Sequence, residues 1–448
     1  MEAIDKFFAQ FVELAWSWPT AVLLLGAGVY FSIRTKLRPF TYLGHAFEVL
    51  MGKHPSKDEV GDVSHFKALT ASLSGTIGLG NIAGVAVAIQ LGGPGAIFWM
   101  WVTAIFGIAT KFFTCTLSVL YRDVEADGST NAGTMYIIKN GLPSYMMPLA
   151  YFFAFFGIIA GLPAFQANQV VQLTNDLYFP TVENFEYIAG AILVIITSIV
   201  ILGGLKRIAD VSAWLVPFMG GLYFIAVLLA VLINYDKFFP AIGLIFTEAF
   251  NINSAVSGGL IGVILLGIKR GAFSNEAGIG TEALIHGSAK TSDPVKQGLI
   301  AMTGPIFDTL IMCTLTAVII LTTGVWQTSD SSGATLTSEA FSYALGPIGS
   351  VILFLCVVSF GMSTIFTYSY YGSACTKFLF GETGVKVYRY IFIAFVFIFS
   401  ITSLDLALNV IDSAFAMMAI PTLIASIWLA PKVLERANKY FASIKRIN

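Results

Sequence analysis

Two stretches of this sequence place glycine beside small polar or charged residues inside runs that are otherwise apolar. Residues 72–81 read SLSGTIGLGN, and residues 267–282 read GIKRGAFSNEAGIGTE. Glycine near the middle of a helix costs about 1 kcal/mol relative to alanine, and a charge at membrane depth costs roughly 2.5–3.5 kcal/mol. We therefore predict that each stretch interrupts a helix and leaves peptide groups unpaired. Unpaired N–H groups bind carboxylates, and unpaired carbonyl oxygens bind ammonium groups or metal cations.

The elements that carry these stretches belong to a chain whose composition is that of a membrane protein. Of the 448 residues, 56% are hydrophobic and 11% are charged, whereas soluble domains carry roughly 25% charged residues. The net charge of −1 and the lack of a basic segment exclude a nucleic-acid partner. The four cysteines lie in apolar stretches without a CxxC pair, so we expect neither a disulfide framework nor a zinc site among them.

Apolar runs of about 17–25 residues are long enough to cross a bilayer as helices. The sequence predicts eleven of them, so the fold class is all-α integral membrane. An opening span lies at 14–33 and is followed by two groups of five, at 67–92, 94–121, 145–173, 188–205 and 210–233, and at 255–285, 297–324, 347–376, 387–404 and 406–431.

These spans predict five parts of the chain. The parts are an N-terminal helix with a cytoplasmic linker (1–66), a first repeat (67–233), an extracellular connector (234–254), a second repeat (255–431) and a cytoplasmic tail (432–448). The connector includes a segment, 238–250, that is suited to an interfacial helix on the outer surface.

The distribution of basic residues predicts the orientation, because Lys and Arg accumulate in cytoplasmic loops. With the N-terminus outside, 20 of the 25 basic residues fall in cytoplasmic segments and two, Lys6 and Lys237, fall outside. We therefore expect a multi-pass protein of the cell membrane with a cytoplasmic C-terminus. With this parity the two interrupted spans cross the bilayer in opposite directions, which is the pattern of an inverted-repeat secondary transporter.

Several individual residues are each suited to more than one role. Glycines in membrane helices also serve close helix packing. Lys269 and Arg270 are suited either to the site or to a structural network with Glu276, Glu282 or Asp308. Asp308 and Asp412 are intramembrane carboxylates, which are functional suspects but also fit structural pairs. Lys111 is expected to extend to the cytoplasmic surface, and the four histidines, His45, His54, His65 and His286, are expected at the surface without metal-ligand spacing.

A third polar cluster lies in the span 145–173. Gln166, Asn168 and Gln169 interrupt an otherwise apolar run, and the spacing of three residues puts Gln166 and Gln169 on one helix face. We expect one of the two glutamines to reach a ligand, and the alternative is hydrogen bonding between helices.

Three segments resemble a known family. Residues 92–107, GGPGAIFWMWVTAIFG, are similar to the signature of the alanine/glycine:cation symporter family, and the stretches SGTIGLGNIAG (74–84) and KRGAFSNEAGIGTEA (269–283) resemble its two interrupted helices. The resemblance extends over essentially the whole chain. It implies a leucine-transporter-type fold, a five-plus-five inverted repeat with one additional N-terminal helix, and uptake of alanine or glycine with sodium as the coupling ion and no other cofactor.

The same resemblance implies where the substrate binds. The substrate carboxylate is expected at the N–H groups of Gly75, Thr76 and Ile77, beside Ser74, where the outer half of the first interrupted helix is predicted to begin. The amino group is expected at the carbonyls of the second interruption, and Phe273 is the candidate for an apolar wall. The residues of that second interruption are Phe273, Ser274, Asn275, Glu276 and Ala277.

The resemblance also implies a sodium site between the first interrupted helix and the span 347–376. Ser363, Thr364 and Thr367 carry hydroxyl groups at helical spacing on that span. Together with carbonyl oxygens near Ala71 and Ser74 they offer the hard oxygen ligands that such a cation needs. Hydroxyl groups in membrane helices also bond the carbonyl of the preceding turn, so this prediction has a structural alternative.

Two other classes of protein compete with a sodium-coupled symporter. Residues 76–80, TIGLG, superficially resemble a potassium-channel filter, but such a filter needs four copies around an axis and this chain has one. An enzyme is not expected, because no HExxH or GxSxG pattern occurs and no histidine lies within a predicted span. Proton coupling and transport of a different small amino acid stay open as alternatives.

Overall fold

The computed structural model describes residues 2–54, 60–251 and 259–444. The start of the predicted span at 255 and the end of the predicted tail therefore lie outside the described residues. Within the described residues the chain is almost entirely helical, apart from a two-stranded antiparallel hairpin of β1 (Asp123–Val124) and β2 (Thr130–Asn131).

The first half of the chain forms thirteen α-helices among the described residues. Their bounds are α1 Glu2–Ala15, α2 Trp18–Arg34, α3 Arg38–Thr41, α4 Leu43–Leu50, α5 His65–Thr76, α6 Val85–Gly92, α7 Gly95–Leu120, α8 Thr134–Gly141, α9 Met147–Ala160, α10 Ala164–Tyr178, α11 Phe185–Ile201, α12 Gly204–Ile233 and α13 Tyr235–Glu248. A 3-10 turn at Ser144–Met146 precedes α9, and a π-helical segment, Gly80–Gly84, lies between α5 and α6.

The second half forms eight more within the same described ranges. These are α14 Leu260–Asn275, α15 Thr281–His286, α16 Pro294–Ala301, α17 Thr314–Thr323, α18 Gly333–Leu345, α19 Pro347–Ser400, α20 Leu404–Trp428 and α21 Ala430–Ile444. A second π-helical segment, Ile306–Cys313, joins α16 to α17, and a 3-10 turn at Val325–Gln327 follows α17.

Six helical segments of the described chain are long and apolar enough to cross a membrane, and two bent helix pairs bring the number to eight. The 54 residues of α19 are far more than the roughly 20 that cross one bilayer core. Gly381, with a φ of 66° and a ψ of −166°, interrupts this helix. The predicted separation between the spans 347–376 and 387–404 corresponds to that interruption.

Both predicted helix interruptions are confirmed. The first helix stops at Thr76 and resumes at Gly80, with an angle of 47° between its halves. The second stops at Asn275, where Glu276 adopts a left-handed conformation, and resumes at Thr281. Gly278 and Gly280 in this second interruption have φ values of 85° and 100°, which L side chains rarely adopt.

The close-packing alternative explains two glycines of the second stretch. A side chain at Gly271 would have its Cβ 3.0 Å from the Cβ of Thr103, and one at Gly267 would be 2.6 Å from the carbonyl oxygen of Ala96. These glycines therefore allow α14 to approach α7, as small residues do in membrane helices. They lie within the helix and not in the interruption that follows it.

Besides α1, α3, α4, α8 and α21, two further helices of the described chain lie outside the predicted spans. The connector contains α13, in agreement with the suggested interfacial segment. The helix α18 lies in a stretch, 325–346, for which no element was predicted. Its residues are mixed apolar and polar, and the run is too short to be recognised as a span.

Candidate functional site

The two interruptions lie next to one another. The side-chain amide of Asn81, just after the first interruption, donates to the hydroxyl of Ser274 at 3.3 Å. A Cβ at Gly80 would be 3.1 Å from Cε1 of Phe273. The glycine therefore gives the aromatic ring direct access to the peptide backbone of the first interrupted helix.

The first interruption lies about one turn later in the chain than predicted. Because α5 continues through Thr76, Gly75 and Thr76 are helical, and the N–H of Ile77 donates to the carbonyl of Leu73 at 2.6 Å. The expectation that the outer half begins at Gly75 to Ile77 is wrong. The N–H of Gly78 is capped by the side-chain oxygen of Asn81 at 2.8 Å.

The N–H groups of a helix's first turn lack a carbonyl four residues earlier. For the second half of the first interrupted helix these groups begin at its N-cap, Leu79, and at Gly80, the first residue of the π-helical segment. These N–H groups carry the positive end of the helix dipole, which favours a carboxylate. They lie one turn beyond the position predicted for them. The hydroxyl of Thr76, in contrast, is directed to the carbonyl of Ser72 at 3.4 Å.

Glu276 is the residue at which the second helix stops. Its carboxylate accepts hydrogen bonds from Tyr368 at 3.1 Å, Tyr371 at 3.2 Å and Thr281 at 2.6 Å. No lysine or arginine of the described residues forms an ion pair with it. The Tyr371 hydroxyl also lies where a side chain at Gly75 would extend, 2.6 Å from the position of a Cβ there. One tyrosine therefore connects the two interrupted helices.

A second carboxylate, that of Asp308, links the two interruptions through hydrogen bonds. Asp308, in the π-helical segment before α17, accepts from the amide of Asn81 at 2.7 Å and from the hydroxyls of Ser274 at 2.7 Å and Thr309 at 2.6 Å. It forms no ion pair among the described residues and is fully buried. From the sequence, Asp308 is predicted as an intramembrane carboxylate and as a candidate partner of Lys269 and Arg270. Its observed partners depend instead on helix packing.

The other members of the second interruption hold its backbone. The side-chain oxygen of Asn275 accepts from the N–H of Ala277 at 2.9 Å, and its amide donates to Thr309 at 3.3 Å. Glu282 accepts from the N–H of Gly280 at 3.0 Å and from Thr114 at 2.7 Å. The freed peptide groups at 277–280 are thus largely held by side chains of the same segment.

The residues predicted for a sodium site are brought together between α5 and α19. The carbonyl oxygen of Ser74 accepts from Thr364 at 3.0 Å and from Ser363 at 3.4 Å. Thr367 donates to the Ser74 hydroxyl at 3.1 Å and to the carbonyl of Ala71 at 3.4 Å. The six oxygen atoms of this cluster come from two helices that are nearly 300 residues apart in the chain.

The two glutamines of α10 have different surroundings. Gln169 donates to Asn168 at 3.0 Å and to Gln172 at 2.7 Å, and its oxygen accepts from the N–H of Ala334 at 2.9 Å at the start of α18. The side chain of Gln166 lies beside Tyr368, and its oxygen is buried without a hydrogen-bond partner among the described residues. Gln166 therefore faces the interruptions, whereas Gln169 caps a helix.

An aromatic cluster covers the interruptions on the side of α14. The Phe273 ring packs edge-on against Phe165, with centroids 5.6 Å apart, and lies 5.7 Å from the ring of Phe415. The guanidinium of Arg270 lies 5.5 Å from the Phe273 centroid. Phe273 is 4% exposed, so the predicted apolar wall is part of the protein interior and does not face lipid.

Lys269 and Arg270 pair with a carboxylate that was not among their suggested partners. Both cations lie 2.7 Å from the same oxygen of Asp412 in α20. Glu276, Glu282 and Asp308 form no ion pair with them in the described chain. The indole N–H of Trp16 donates to the backbone carbonyl of Asp412 at 2.8 Å, so the N-terminal segment joins this network.

Several residues expected at the surface are buried. Lys111 and His286 are each 1% exposed, so the expectation of a snorkelling lysine and a surface histidine is wrong for them. The amide of Gln297 lies 2.5 Å from Nδ1 of His286, and its carbonyl oxygen lies 2.5 Å from Nδ1 of His65. These contacts tie the ends of α5 and α15 that lie away from the interruptions.

The residues around both interruptions are closed off from solvent. Ser74, Thr76, Asn81, Gln166, Phe273, Glu276 and Asp308 are all at most 4% exposed. A small solute reaches this region only after helices move, which is a property of gated sites.

Comparisons with known proteins show the family to which this sequence is similar. Residues 1–447 match the model of the sodium:alanine symporter family. The sodium/alanine symporter AgcS of Methanococcus maripaludis is 41% identical over 443 residues, which cover 97% of this chain and 96% of that protein. The probable sodium/glutamine symporter GlnT of Bacillus subtilis is 34% identical over 437 residues, with 97% and 90% covered.

The fold is also found among solved structures. The crystal structure of MhsT in complex with L-phenylalanine aligns with a TM-score of 0.59 and covers 84% of this chain and 98% of that chain. The identity over this alignment is 12%, so the likeness concerns the fold alone.

Proposed function

Because this chain belongs to the sodium:alanine symporter family, we propose that it imports alanine and glycine together with sodium by alternating access. The chain is a multi-pass membrane transporter and not an enzyme, and sodium-coupled amino-acid symport is the activity of its family. The observation that carries the proposal is the meeting of two interrupted helices around buried polar groups. Such a pair presents peptide dipoles to a zwitterion inside a membrane.

The proposed architecture has eleven spans, an inverted repeat and an N-terminus outside the cell. The additional first span is α2, the first repeat extends from α5 to α12, and the second extends from α14 to α20. Several pairs of helices each form one span, and α19 forms two spans. The five parts of the chain keep the predicted boundaries at residues 66, 233, 254 and 431. The basic residues support the orientation, and the interruptions lie at the first span of each repeat.

For the substrate, we place the carboxylate at the N–H groups that follow Gly78 and the ammonium group at the second interruption. The carbonyl oxygens of residues 273–277 and the unpartnered side-chain oxygen of Gln166 are the acceptors. Ser74 to Ile77 line the approach from the first interrupted helix. Gly80 lies against Phe273, and Gly75 lies against Tyr371. These contacts leave little room for a long side chain, which favours alanine and glycine over glutamine.

For sodium, we place the ion among the oxygens of Ala71, Ser74, Ser363, Thr364 and Thr367. Carbonyl and hydroxyl oxygens are the ligands that hard cations prefer. Asp308 supplies a second cation-attracting group, since a buried carboxylate without an ion pair is expensive to keep in a membrane unless its charge is used.

The proposal is tested by uptake of labelled alanine into proteoliposomes that contain the purified protein. We expect saturable accumulation that needs a sodium gradient and is lost when choline or potassium replaces sodium at a clamped pH. Excess glycine should compete strongly and glutamine weakly. Accumulation driven by a proton gradient without sodium, or ion flux that does not saturate and needs no amino acid, would overturn it.

A further inference from the structure

Three side chains with metal-ligating atoms meet outside the predicted membrane spans, in the segment that follows α2. His45 and Glu48 belong to α4, and His54 follows that helix. Glu48 Oε2 lies 3.4 Å from His45 Nδ1 and 3.3 Å from His54 Nε2. All three ligand atoms lie within 4.8 Å of one another. The sequence alone predicted no metal-ligand spacing for these histidines.

The separations between these atoms match those of ligands around one zinc ion. Zinc binds imidazole nitrogen and carboxylate oxygen at about 2.0–2.1 Å in tetrahedral geometry, so neighbouring ligand atoms are roughly 3.3–3.4 Å apart. Two of the three observed pairs already have this spacing. A metal ion at the common centre of the three atoms requires only side-chain adjustment.

The surroundings hold two of the ligands in position. Nε2 of His45 lies 2.8 Å from the hydroxyl of Tyr440 in α21, which directs Nδ1 toward Glu48. The backbone carbonyl of His54 accepts from Lys296 Nζ at 2.7 Å, which anchors the end of the segment. A hydrogen bond on the second nitrogen of a ligating imidazole is the usual support of a metal-bound histidine.

The charged groups that face the cluster are Lys53 and Lys296, and both oppose a cation. We therefore expect the site to bind a metal ion with moderate affinity.

We propose that His45, Glu48 and His54 bind a divalent transition-metal ion, zinc by preference, with the fourth coordination position open to water. Two nitrogen ligands and one carboxylate suit zinc better than magnesium or calcium, which prefer oxygen alone. The bound ion would join the segment after α2 to the C-terminal helix through His45 and Tyr440. This site is separate from the residues around the interrupted helices and does not depend on the transported substrate.

The test uses the full-length protein, purified in detergent without a polyhistidine tag and stripped of metal with a chelator. Zinc is titrated against a chromophoric competitor, and cobalt is used in parallel because tetrahedral cobalt has a distinctive visible spectrum. We expect one zinc per chain, and at least a tenfold weaker affinity for His54→Gln and for Glu48→Gln. His54 and Glu48 are partly exposed, so both variants should fold.

The matched control is Glu435→Gln, which removes an exposed carboxylate paired with Lys439 in the same membrane-distal region. This variant should bind zinc as the unaltered protein does. Zinc should raise the melting temperature of the unaltered protein but not of His54→Gln. Equal zinc affinity for the unaltered protein and His54→Gln, or no zinc bound at all, would overturn the proposal and leave only His–Glu hydrogen bonds.

Discussion

The hydroxyl of Tyr371 donates a 3.2 Å hydrogen bond to Glu276, the residue at which the second interrupted helix stops. One turn earlier on the same helix, Thr367 donates to the hydroxyl of Ser74 in the first interrupted helix. Residues four apart on a helix lie on one face. A single turn of α19 therefore contacts both the proposed sodium ligands and the proposed substrate region.

A methyl group at Gly75 should weaken alanine binding. The Cβ of Gly75→Ala would be 2.6 Å from the Tyr371 hydroxyl and 3.0 Å from Cγ2 of Thr367, so the tyrosine must move away from Glu276. We expect at least a tenfold loss of affinity in a scintillation binding assay, equivalent to about 1.4 kcal/mol. Gly220→Ala in α12 is the control, because its Cβ meets nothing within 4 Å. Equal affinities for the two variants would contradict the placement.

Removal of one hydroxyl from the oxygen cluster should reduce the apparent affinity for sodium. Thr364→Val keeps the shape of the side chain but loses the oxygen that lies 3.0 Å from the Ser74 carbonyl. The sodium concentration for half-maximal alanine uptake should rise several-fold. Thr376→Val is matched to it on the same helix, since among the described residues the Thr376 hydroxyl bonds only the carbonyl of Gly372. If both variants respond to sodium alike, the cluster is structural.

The two glutamines of α10 should affect different properties. Gln166→Met removes the buried oxygen that has no protein partner among the described residues, so alanine affinity should fall while the melting temperature changes little. Gln169→Met leaves the N–H of Ala334 without its acceptor, which costs about 1–3 kcal/mol for a buried donor. The melting temperature of this variant should therefore fall. The reverse pattern would exclude Gln166 from the substrate site.

Loss of Asp412 should destabilise the protein strongly. Asp412→Ala leaves the buried Arg270 and the partly buried Lys269 without their shared carboxylate, and breaking a buried pair in this way costs about 3–5 kcal/mol. Asp210→Ala removes the exposed partner of Lys67, for which about 0–1 kcal/mol is expected. The measurement is the melting temperature of each of the two variants in detergent. Similar melting temperatures would mean that water or lipid headgroups solvate the two cations.

The sequence by itself determined the features that depend on local composition. Glycine and charge inside apolar runs marked both interruptions, because each has a cost that a plain membrane helix avoids. Helical spacing placed Ser363, Thr364 and Thr367 on related faces, since that spacing is a property of every α-helix. The residues of the stretch 92–107 indicate the family without any knowledge of tertiary contacts.

Only the tertiary structure decided which distant residues meet. Asp412 pairs with cations 142 and 143 positions earlier in the chain, and Glu276 receives hydrogen bonds from tyrosines more than 90 positions later. Local patterns contain no information on these pairings, because they depend on the angles and offsets at which helices pack. The same holds for the one-turn shift of the first interruption, the capping role of Gln169 and the meeting of His45 with His54. Each is set by neighbours that the linear sequence does not place.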